Sequence, residues 1–435
     1  MNPTFLSVVQ LAELTRTRKI GCLELLDHNI ARVERLDPKI NAIVVRDFDR
    51  ARQRARQFDS SSDRSAPLFG VPMTVKESFD VTGLPTTWGV PAMKNSIAIA
   101  NALAVDRMLA AGAVLFGKTN VPLLLGDWQS YNVIYGTTNN PWDVKLSPGG
   151  SSGGAAAALA AGLTGIEVGS DIGSSIRNPA HYCRVFDHKP TWGICPPLGQ
   201  ALDGNVTHGD IGVIGPLARS AADLSIVLDT IAGPEPIETG WKLDLPPPRT
   251  TSLKGLRVAS MMDHPLSEVD ESITGQLARL AGFLSKEGAL VSETARPGFD
   301  LAHGHRLFIE MLRATTSART DDASLNRWRE EAVRHSADDV SYYAMMARGN
   351  SMTHRDFLIG NEQRQRMRRA WAAFFQDWDA FLCPTAASPP PSVPTRVRHL
   401  PPGSLDPEAL KDRLSHAHAR HRHLCRGGCR LERRP

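Results

Sequence analysis

Apolar and polar positions alternate between helical and strand-like spacing along most of the chain. Apolar residues at helical spacing predict two helices over residues 7–36, separated by Gly21. An apolar run at 41–46 predicts a strand, the charged stretch 47–58 a helix, and the mostly apolar segment 67–75 a buried strand. Similar segments continue to about residue 233. The pattern predicts an α/β fold in which a mixed β-sheet core is flanked by helices.

Two changes in composition divide the rest of the chain. The proline-rich stretch at about 234–252 predicts a linker, and strand-like and helical segments resume between residues 256 and 384. From residue 389 the chain is rich in arginine, histidine, proline and glycine, and it soon loses apolar periodicity. The sequence therefore predicts one large domain over residues 1–388 and a poorly ordered tail over 389–435.

The overall composition narrows the class of protein. Of 435 residues, 42% are hydrophobic and 22% charged, which is typical of a globular protein with a large core. The net charge of +4 is small for this length, so we expect no nucleic-acid partner. No apolar run is long enough to span a membrane, and the N-terminus has no secretory signal pattern. With six scattered cysteines, these features predict a cytoplasmic protein without a disulfide framework.

Two serine-bearing, glycine-rich loops are the main candidates for chemistry. Residues 147–154 contain Ser151 and Ser152 and precede an alanine-rich helix, and residues 169–177 contain Ser175. A serine hydroxyl needs a base to become a nucleophile, and free backbone N–H groups can stabilise an oxyanion. Lys76, which follows the strand-like segment 67–75, could act as that base if burial lowers its pKa. Each residue alone is more typical of a turn or a surface; together they predict a hydrolytic site.

Two other motifs are interpreted as structural. Residues 112–119 match the phosphate-loop pattern, but their four middle residues are apolar and Pro122 follows closely, so we predict a strand and a turn there. The tail has histidines and cysteines whose spacing fits no standard zinc pattern. We expect no metal at this cluster: His416, His418, His421, His423, Cys425 and Cys429.

Several segments, in the same order, resemble the amidase signature family. They are residues 70–77, 117–122, 140–142, 147–154, 169–179, 189–191 and 215–219, and the resemblance runs from about residue 7 to 385. It implies a single large α/β domain of the amidase signature type, with no metal or cofactor. It also implies amide hydrolysis by a Ser–Ser–Lys triad.

The resemblance assigns a role to each site residue. Ser175 would be the nucleophile that forms an acyl-enzyme ester, Ser151 a bridging serine after a cis peptide bond, and Lys76 the base. The oxyanion hole would be built from backbone N–H groups of Ile172, Gly173, Ser174 and Ser175. Three further residues would hold the loops by hydrogen bonds: Ser152, Asp171 and Arg177.

The chain departs from the family pattern at three positions near the second loop. Ser174, Arg184 and Asp187 stand where the family usually has glycine. We expect Ser174 to place a side chain beside the oxyanion hole. We expect the other two to place charge where the backbone packs closely, at a cost in local stability.

Within the family the chain looks most like bacterial amidases of small aryl acetamides. This likeness implies hydrolysis of indole-3-acetamide to indole-3-acetate and ammonia, a step of auxin biosynthesis. A planar indole needs an apolar pocket, for which the candidates are Trp88, Trp128, Tyr131 and Trp192. Two alternatives stay open: the amidase subunit of a tRNA-dependent amidotransferase, and a degenerate, non-catalytic binding protein. A homodimer also stays open.

Overall fold

The candidate base lies at the end of a buried strand in a mixed sheet. The computed structural model describes residues 2–202 and 205–393. Strand β3 pairs with β1 in antiparallel and with β2 in parallel orientation, and β8 pairs in antiparallel orientation with both β6 and β7. A parallel bridge between Met73 and Ile166 joins β2 to the start of β6. The strands are β1 (Ile43–Arg46), β2 (Pro72–Lys76), β3 (Val114–Thr119), β4 (Tyr131–Asn132), β5 (Gly136–Thr137), β6 (Glu167–Asp171), β7 (Phe186–Asp187) and β8 (Val213–Ala218).

Helices cover both faces of this sheet. Two apolar clusters form: one includes residues of α2, α3 and α5, the other residues of α1, α4 and α7. Met73 and Val75 belong to the second cluster, and because side chains alternate along a strand, Lys76 faces the α5 side. The helices are α1 (Val8–Arg16), α2 (Cys22–Ile40), α3 (Phe48–Ser60), α4 (Leu103–Ala110), α5 (Gly153–Ala160), α6 (Arg177–Cys183) and α7 (Ala221–Ile231). The predicted α/β class, with a mixed sheet flanked by helices, is confirmed.

A second compact unit begins at Pro246, inside the stretch predicted to be a linker. Its three-stranded sheet is parallel, with β9 between β10 and β11. The elements are β9 (Arg257–Ser260), α8 (Glu271–Lys286), β10 (Leu290–Ser292), α9 (Leu301–Thr316), α10 (Asp322–Arg334), α11 (Tyr342–Asn350), α12 (His354–Asp377) and β11 (Ala380–Leu382). That residues 1–388 act as one domain stays a prediction.

The structure describes the first residues of the predicted tail, 389–393. Ser392 forms a bridge to Leu146, and the N–H of Ser147 donates to the carbonyl of Pro391. These residues therefore belong to the first unit. The remaining tail, with its histidine and cysteine cluster, lies outside the described residues.

The phosphate-loop interpretation is also settled by the strands. The matching residues form β3, and the fully buried Lys118 donates to the Thr86 hydroxyl at 3.0 Å and to the carbonyl of Pro85. The prediction of a strand is confirmed. In the described part of the chain, no helix is long and apolar enough to cross a bilayer.

Helix α5 is buried along nearly its whole length because its residues are small. A Cβ atom at Gly154 would lie 2.4 Å from the backbone nitrogen of Asn120 and 2.6 Å from its carbonyl oxygen. We expect Gly154→Ala to lower the free energy of unfolding by about 1–3 kcal/mol, since neither backbone atom can move freely. Chemical denaturation measures the change.

Gly282→Ala in α8 is the matched control, because a Cβ atom there meets nothing within 4 Å. It should stabilise its helix by about 0.5–1 kcal/mol, since alanine loses less backbone entropy than glycine. A Gly154→Ala protein as stable as the wild type would contradict the close packing of α5 against Asn120.

Candidate active site

Lys76 is a fully buried lysine with hydrogen bonds to two serines. Its Nζ lies 2.6 Å from Ser151 Oγ, 2.9 Å from Ser170 Oγ and 3.3 Å from the Ser170 carbonyl oxygen. Burial lowers the pKa of Lys76 to about 7, although the charges of Asp171 and Glu167 act in the opposite direction. A substantial fraction of the amine is therefore uncharged near neutral pH, as a general base requires.

Ser151 is presented by the first glycine-rich loop. The peptide bond between Gly150 and Ser151 is cis, as the family resemblance implies. Gly149 has a φ of +83°, and a Cβ atom at Gly150 would lie 2.3 Å from the carbonyl oxygen of Asp127. Glycine is needed at position 149 because of the left-handed backbone conformation and at position 150 because of the close approach to Asp127. The loop thereby places Ser151 against Lys76.

Ser175 lies on the second loop, and 6% of its surface is exposed. Its carbonyl oxygen accepts a hydrogen bond of 3.0 Å from the N–H of Ser152. Among the described residues, its hydroxyl has no hydrogen-bond partner. Ser152 Oγ also lies 3.4 Å from the Ser170 carbonyl oxygen. Ser152 thus ties the two loops together.

Asp171 organises the second loop from the end of β6. Its carboxylate accepts from the N–H groups of Ser174 (2.9 Å) and Ile176 (3.0 Å) and from the Arg177 guanidinium through Nε (3.0 Å) and Nη2 (2.9 Å). Burial alone would raise the pKa of Asp171, but the hydrogen bonds and charge of Arg177 hold it below its usual value. The carboxylate therefore stays ionised and fixes the turn.

The oxyanion-hole prediction needs one correction. The N–H groups of Ile172, Gly173 and Ser175 have no acceptor within the described ranges, so they are available to a substrate oxygen. The N–H of Ser174 instead donates to Asp171. Its inclusion was wrong, because the charged Asp171 carboxylate already accepts from this N–H. Ser174 also has a φ of +79°, the left-handed region in which glycine is usual.

The two exposed aromatic candidates donate indole hydrogen bonds to different loops. Trp128 is 56% exposed, and its indole N–H donates to the carbonyl of Gly173 at 3.0 Å. Trp192 is also exposed, but its indole N–H donates to Gly209, on another loop. Of the two tryptophans, only Trp128 donates a described indole hydrogen bond to the loop that contains Ser175.

The other two aromatic residues are half-buried. The backbone N–H of Trp88 donates at 3.0 Å to Glu77, the residue that follows Lys76. The indole nitrogen of Trp88 has no acceptor among the described residues. Tyr131 lies in β4. Their role in a substrate pocket stays a prediction.

The two charged departures behave differently. Arg184 ends α6 with a φ of +58°, which explains why glycine suits the position. Its side chain is exposed and its guanidinium lies 5.2 Å from the centre of the Trp142 ring, so the expectation that its charge lies in close backbone packing was wrong. Asp187 is half-buried; burial, and then the charge of Asp171, raise its pKa to about 6 despite Arg177. Burial therefore disfavours its ionised form, and the expected cost in local stability stays a prediction.

Sequence reasoning missed two buried polar residues. Ser170 contacts Lys76, and its position beside Asp171 could have suggested this. Glu167 is fully buried and accepts from the hydroxyl of Thr74, and burial raises its pKa to about 8. Its signal was a carboxylate inside an apolar strand-like run. No cluster of three or more metal-ligating side chains occurs in the part of the chain that the structure describes.

The chain is similar to known amidases in sequence and in fold. The amidase family model matches residues 24–406. The chain is 32% identical to an indoleacetamide hydrolase of Bradyrhizobium diazoefficiens, over 88% of this chain and 73% of that protein. It is 31% identical to an acylamidase of Rhodococcus erythropolis, over 95% and 85% of the two chains.

Two further relatives match over a smaller share of the chain or at a lower sequence identity. One subunit of the glutamyl-tRNA(Gln) amidotransferase of Roseiflexus castenholzii is 34% identical over 68% of this chain and 61% of its own. A solved structure of 6-aminohexanoate cyclic dimer hydrolase with substrate superposes with a TM-score of 0.74 at 27% identity, covering 93% of this chain and 84% of that one. The fold, the matched residues and these relatives together show that the chain belongs to the amidase signature family of hydrolases that act on amides.

Proposed function

We propose that this amidase hydrolyses small amides through Ser175, Ser151 and Lys76. The observation that supports this most directly is the 2.6 Å contact between Lys76 Nζ and Ser151 Oγ inside a fully buried environment. A buried amine of lowered pKa beside a hydroxyl is a base with a proton donor already in place. The Lys76 pKa of about 7 suits that role at neutral pH.

The proposed reaction has two halves. Ser175 Oγ attacks the amide carbon while its proton passes to Ser151 and the Ser151 proton passes to Lys76. The oxyanion is stabilised by N–H groups of Ile172, Gly173 and Ser175. Protonated Lys76 then returns a proton through Ser151 to the leaving nitrogen, the carbon–nitrogen bond breaks, and ammonia leaves an ester on Ser175. Water attacks this ester by the same path and releases the acid and the free serine.

The proposed substrate is indole-3-acetamide, which would give indole-3-acetate and ammonia in auxin biosynthesis. Support comes from the exposed indole of Trp128 beside Gly173 and from the similarity to an indoleacetamide hydrolase. An aromatic side chain at this place offers a flat surface on which an indole ring can stack.

A comparison of amides tests the substrate. We expect purified protein to release ammonia from indole-3-acetamide with a higher kcat/KM than from butyramide, because an indole ring can stack on Trp128 and an aliphatic chain cannot. Phenylacetamide, with a smaller ring, should fall between them. Cleavage of butyramide while indole-3-acetamide stays intact would contradict the proposed substrate but not the amidase activity.

A second candidate function is the amidase subunit of a tRNA-dependent amidotransferase. The similarity to such a protein in Roseiflexus castenholzii favours it. It requires glutamine as the ammonia donor, as well as a partner subunit. If the protein co-purified with a second subunit and hydrolysed glutamine, the amidotransferase function would be favoured over indole-3-acetamide hydrolysis. A homodimer and a cytoplasmic location stay predictions.

The non-catalytic alternative makes the opposite prediction for the nucleophile. A binding protein that has lost catalysis should not react with a fluorophosphonate, which labels activated serines. We expect wild-type protein to be labelled, because Lys76 and Ser151 are in contact. A well-folded wild type that resists labelling would sink the enzymatic proposal.

A further inference from the structure

The peptide group between Gly173 and Ser174 is held at both of its polar ends. Its carbonyl oxygen accepts from the indole N–H of Trp128 at 3.0 Å. Its N–H donates to Asp171 Oδ1 at 2.9 Å. A planar peptide group with both ends bonded has little freedom to rotate. The two contacts therefore fix the orientation of the middle of the nucleophile loop.

This orientation determines where the neighbouring donors point. The N–H of Gly173 precedes the fixed peptide group and the N–H of Ser175 follows it, and neither has an acceptor among the described residues. Ser174, between them, has a φ of +79°. A residue with a side chain pays roughly 1–2 kcal/mol in this region, so the conformation needs outside support.

Trp128 is anchored on the other loop of the site. Its carbonyl oxygen accepts from Ser147 Oγ at 3.2 Å, and the preceding carbonyl, of Asp127, lies against Gly150. The backbone of Trp128 thus packs on the loop that presents Ser151, while its indole bonds the loop that presents Ser175. More than half of the side chain is exposed, so apolar burial gives only part of the reason for its placement.

We propose that Trp128 is a positioning residue for the oxyanion hole, acting through its hydrogen bond to the Gly173 carbonyl. The inference rests on the proposed function of Ser175. Loss of the indole N–H leaves the Gly173–Ser174 peptide group held by Asp171 alone, so the group has more freedom to rotate and the donors on either side of it are less well aligned. Donor alignment matters most when charge develops on the substrate oxygen, so kcat is affected more than KM.

Trp128→Phe is the test, because it keeps an aromatic ring and removes the N–H. We expect kcat to fall about 10- to 100-fold with KM changed less than about threefold, and the rate of fluorophosphonate labelling to fall in parallel. Circular dichroism and a thermal melt establish that the variant is folded.

Trp142→Phe is the matched control in the same unit. Trp142 is 58% exposed, and its indole N–H also donates to a backbone carbonyl, that of Cys183, at 2.8 Å. We expect it to keep wild-type kcat. If Trp128→Phe lowers kcat no more than Trp142→Phe does, or raises KM alone, the positioning role is overturned.

Ser174→Gly supplies an independent readout. Glycine adopts the left-handed conformation without strain, so the loop depends less on the Trp128 contact. We expect Trp128→Phe to cost less in kcat in the Ser174→Gly background than in the wild type, and an equal or larger cost would contradict the inference. Failure of the proposed function is distinguishable, because the wild type would then resist labelling before any variant is compared.

Discussion

Ser175→Ala is expected to abolish covalent labelling by a fluorophosphonate and to lower kcat about a millionfold, the size of loss seen when a serine nucleophile is removed. The alanine methyl cannot attack a carbonyl, so the proposed acyl-enzyme ester cannot form. The fold should be unaffected, because the Ser175 hydroxyl has no hydrogen-bond partner among the described residues. Labelling, steady-state kinetics and a thermal melt measure the three quantities.

Mass spectrometry of the labelled wild type provides the control. The adduct should map to the peptide that contains Ser175 and not to the peptide that contains Ser151. An adduct on Ser151, or undiminished labelling of Ser175→Ala, would indicate that Ser151 is the nucleophile in place of Ser175. Because Ser151 contacts Lys76 directly, this distinction has to be measured chemically.

Lys76→Met is expected to lower kcat/KM by about 10²- to 10⁴-fold, the usual contribution of a general base. Methionine has a similar length and no amine, so it removes the proton acceptor without leaving a large cavity. Burial lowers the pKa of Lys76 below its unfolded value, so the unfolded chain binds the proton more tightly and native stability falls as the pH drops towards about 7. Lys76→Met removes this penalty and should be at least as stable as the wild type at pH 7.

Lys118→Met is the matched control, on the neighbouring strand. Lys118 is equally buried, but its amine donates to the Pro85 carbonyl and the Thr86 hydroxyl and lies near Glu77. It has no described hydrogen bond to Ser151. Its loss leaves the buried Glu77 without its counter-charge, which should destabilise the protein while the folded fraction keeps its kcat. The two variants therefore have opposite effects, and a Lys76→Met protein with wild-type kcat would exclude Lys76 as the base.

The wild-type pH profile checks the same group. Because only the neutral amine accepts a proton, kcat/KM should fall about tenfold per pH unit below about pH 7. An activity that stays constant from pH 7 to pH 5 would contradict a base with this pKa.

Most elements of the first unit could be predicted because their apolar residues recur at a clear period and glycine or proline residues separate them. Gly21 separates α1 from α2 as expected, and the apolar run before Lys76 is a buried strand. Helix α12 is 24 residues long, but its sequence pattern is weaker. It buries only Gly360 and Phe374, so its sequence has no strong apolar stripe.

The serines, glycines and lysine of the proposed site were identified from sequence, because glycine-rich loops and their spacing are local features. Their chemistry was not determined there. Lys76 and Ser151 are 75 residues apart, and only the pairing of β2 with its neighbours and the packing of α5 bring them within 2.6 Å. The shift in the pKa of Lys76 depends on burial, which is a property of the assembled core.

The sequence by itself determined the family, the α/β class and the two serine loops, since these depend on residue type, order and spacing along the chain. The tertiary structure decided which donors are free. Asp171 captures the N–H of Ser174, Trp128 bonds the carbonyl of Gly173, and Arg184 turns into solvent at the end of α6. Each outcome depends on which polar group lies nearest in space, and nearness across loops follows from backbone conformation and packing that no local pattern encodes.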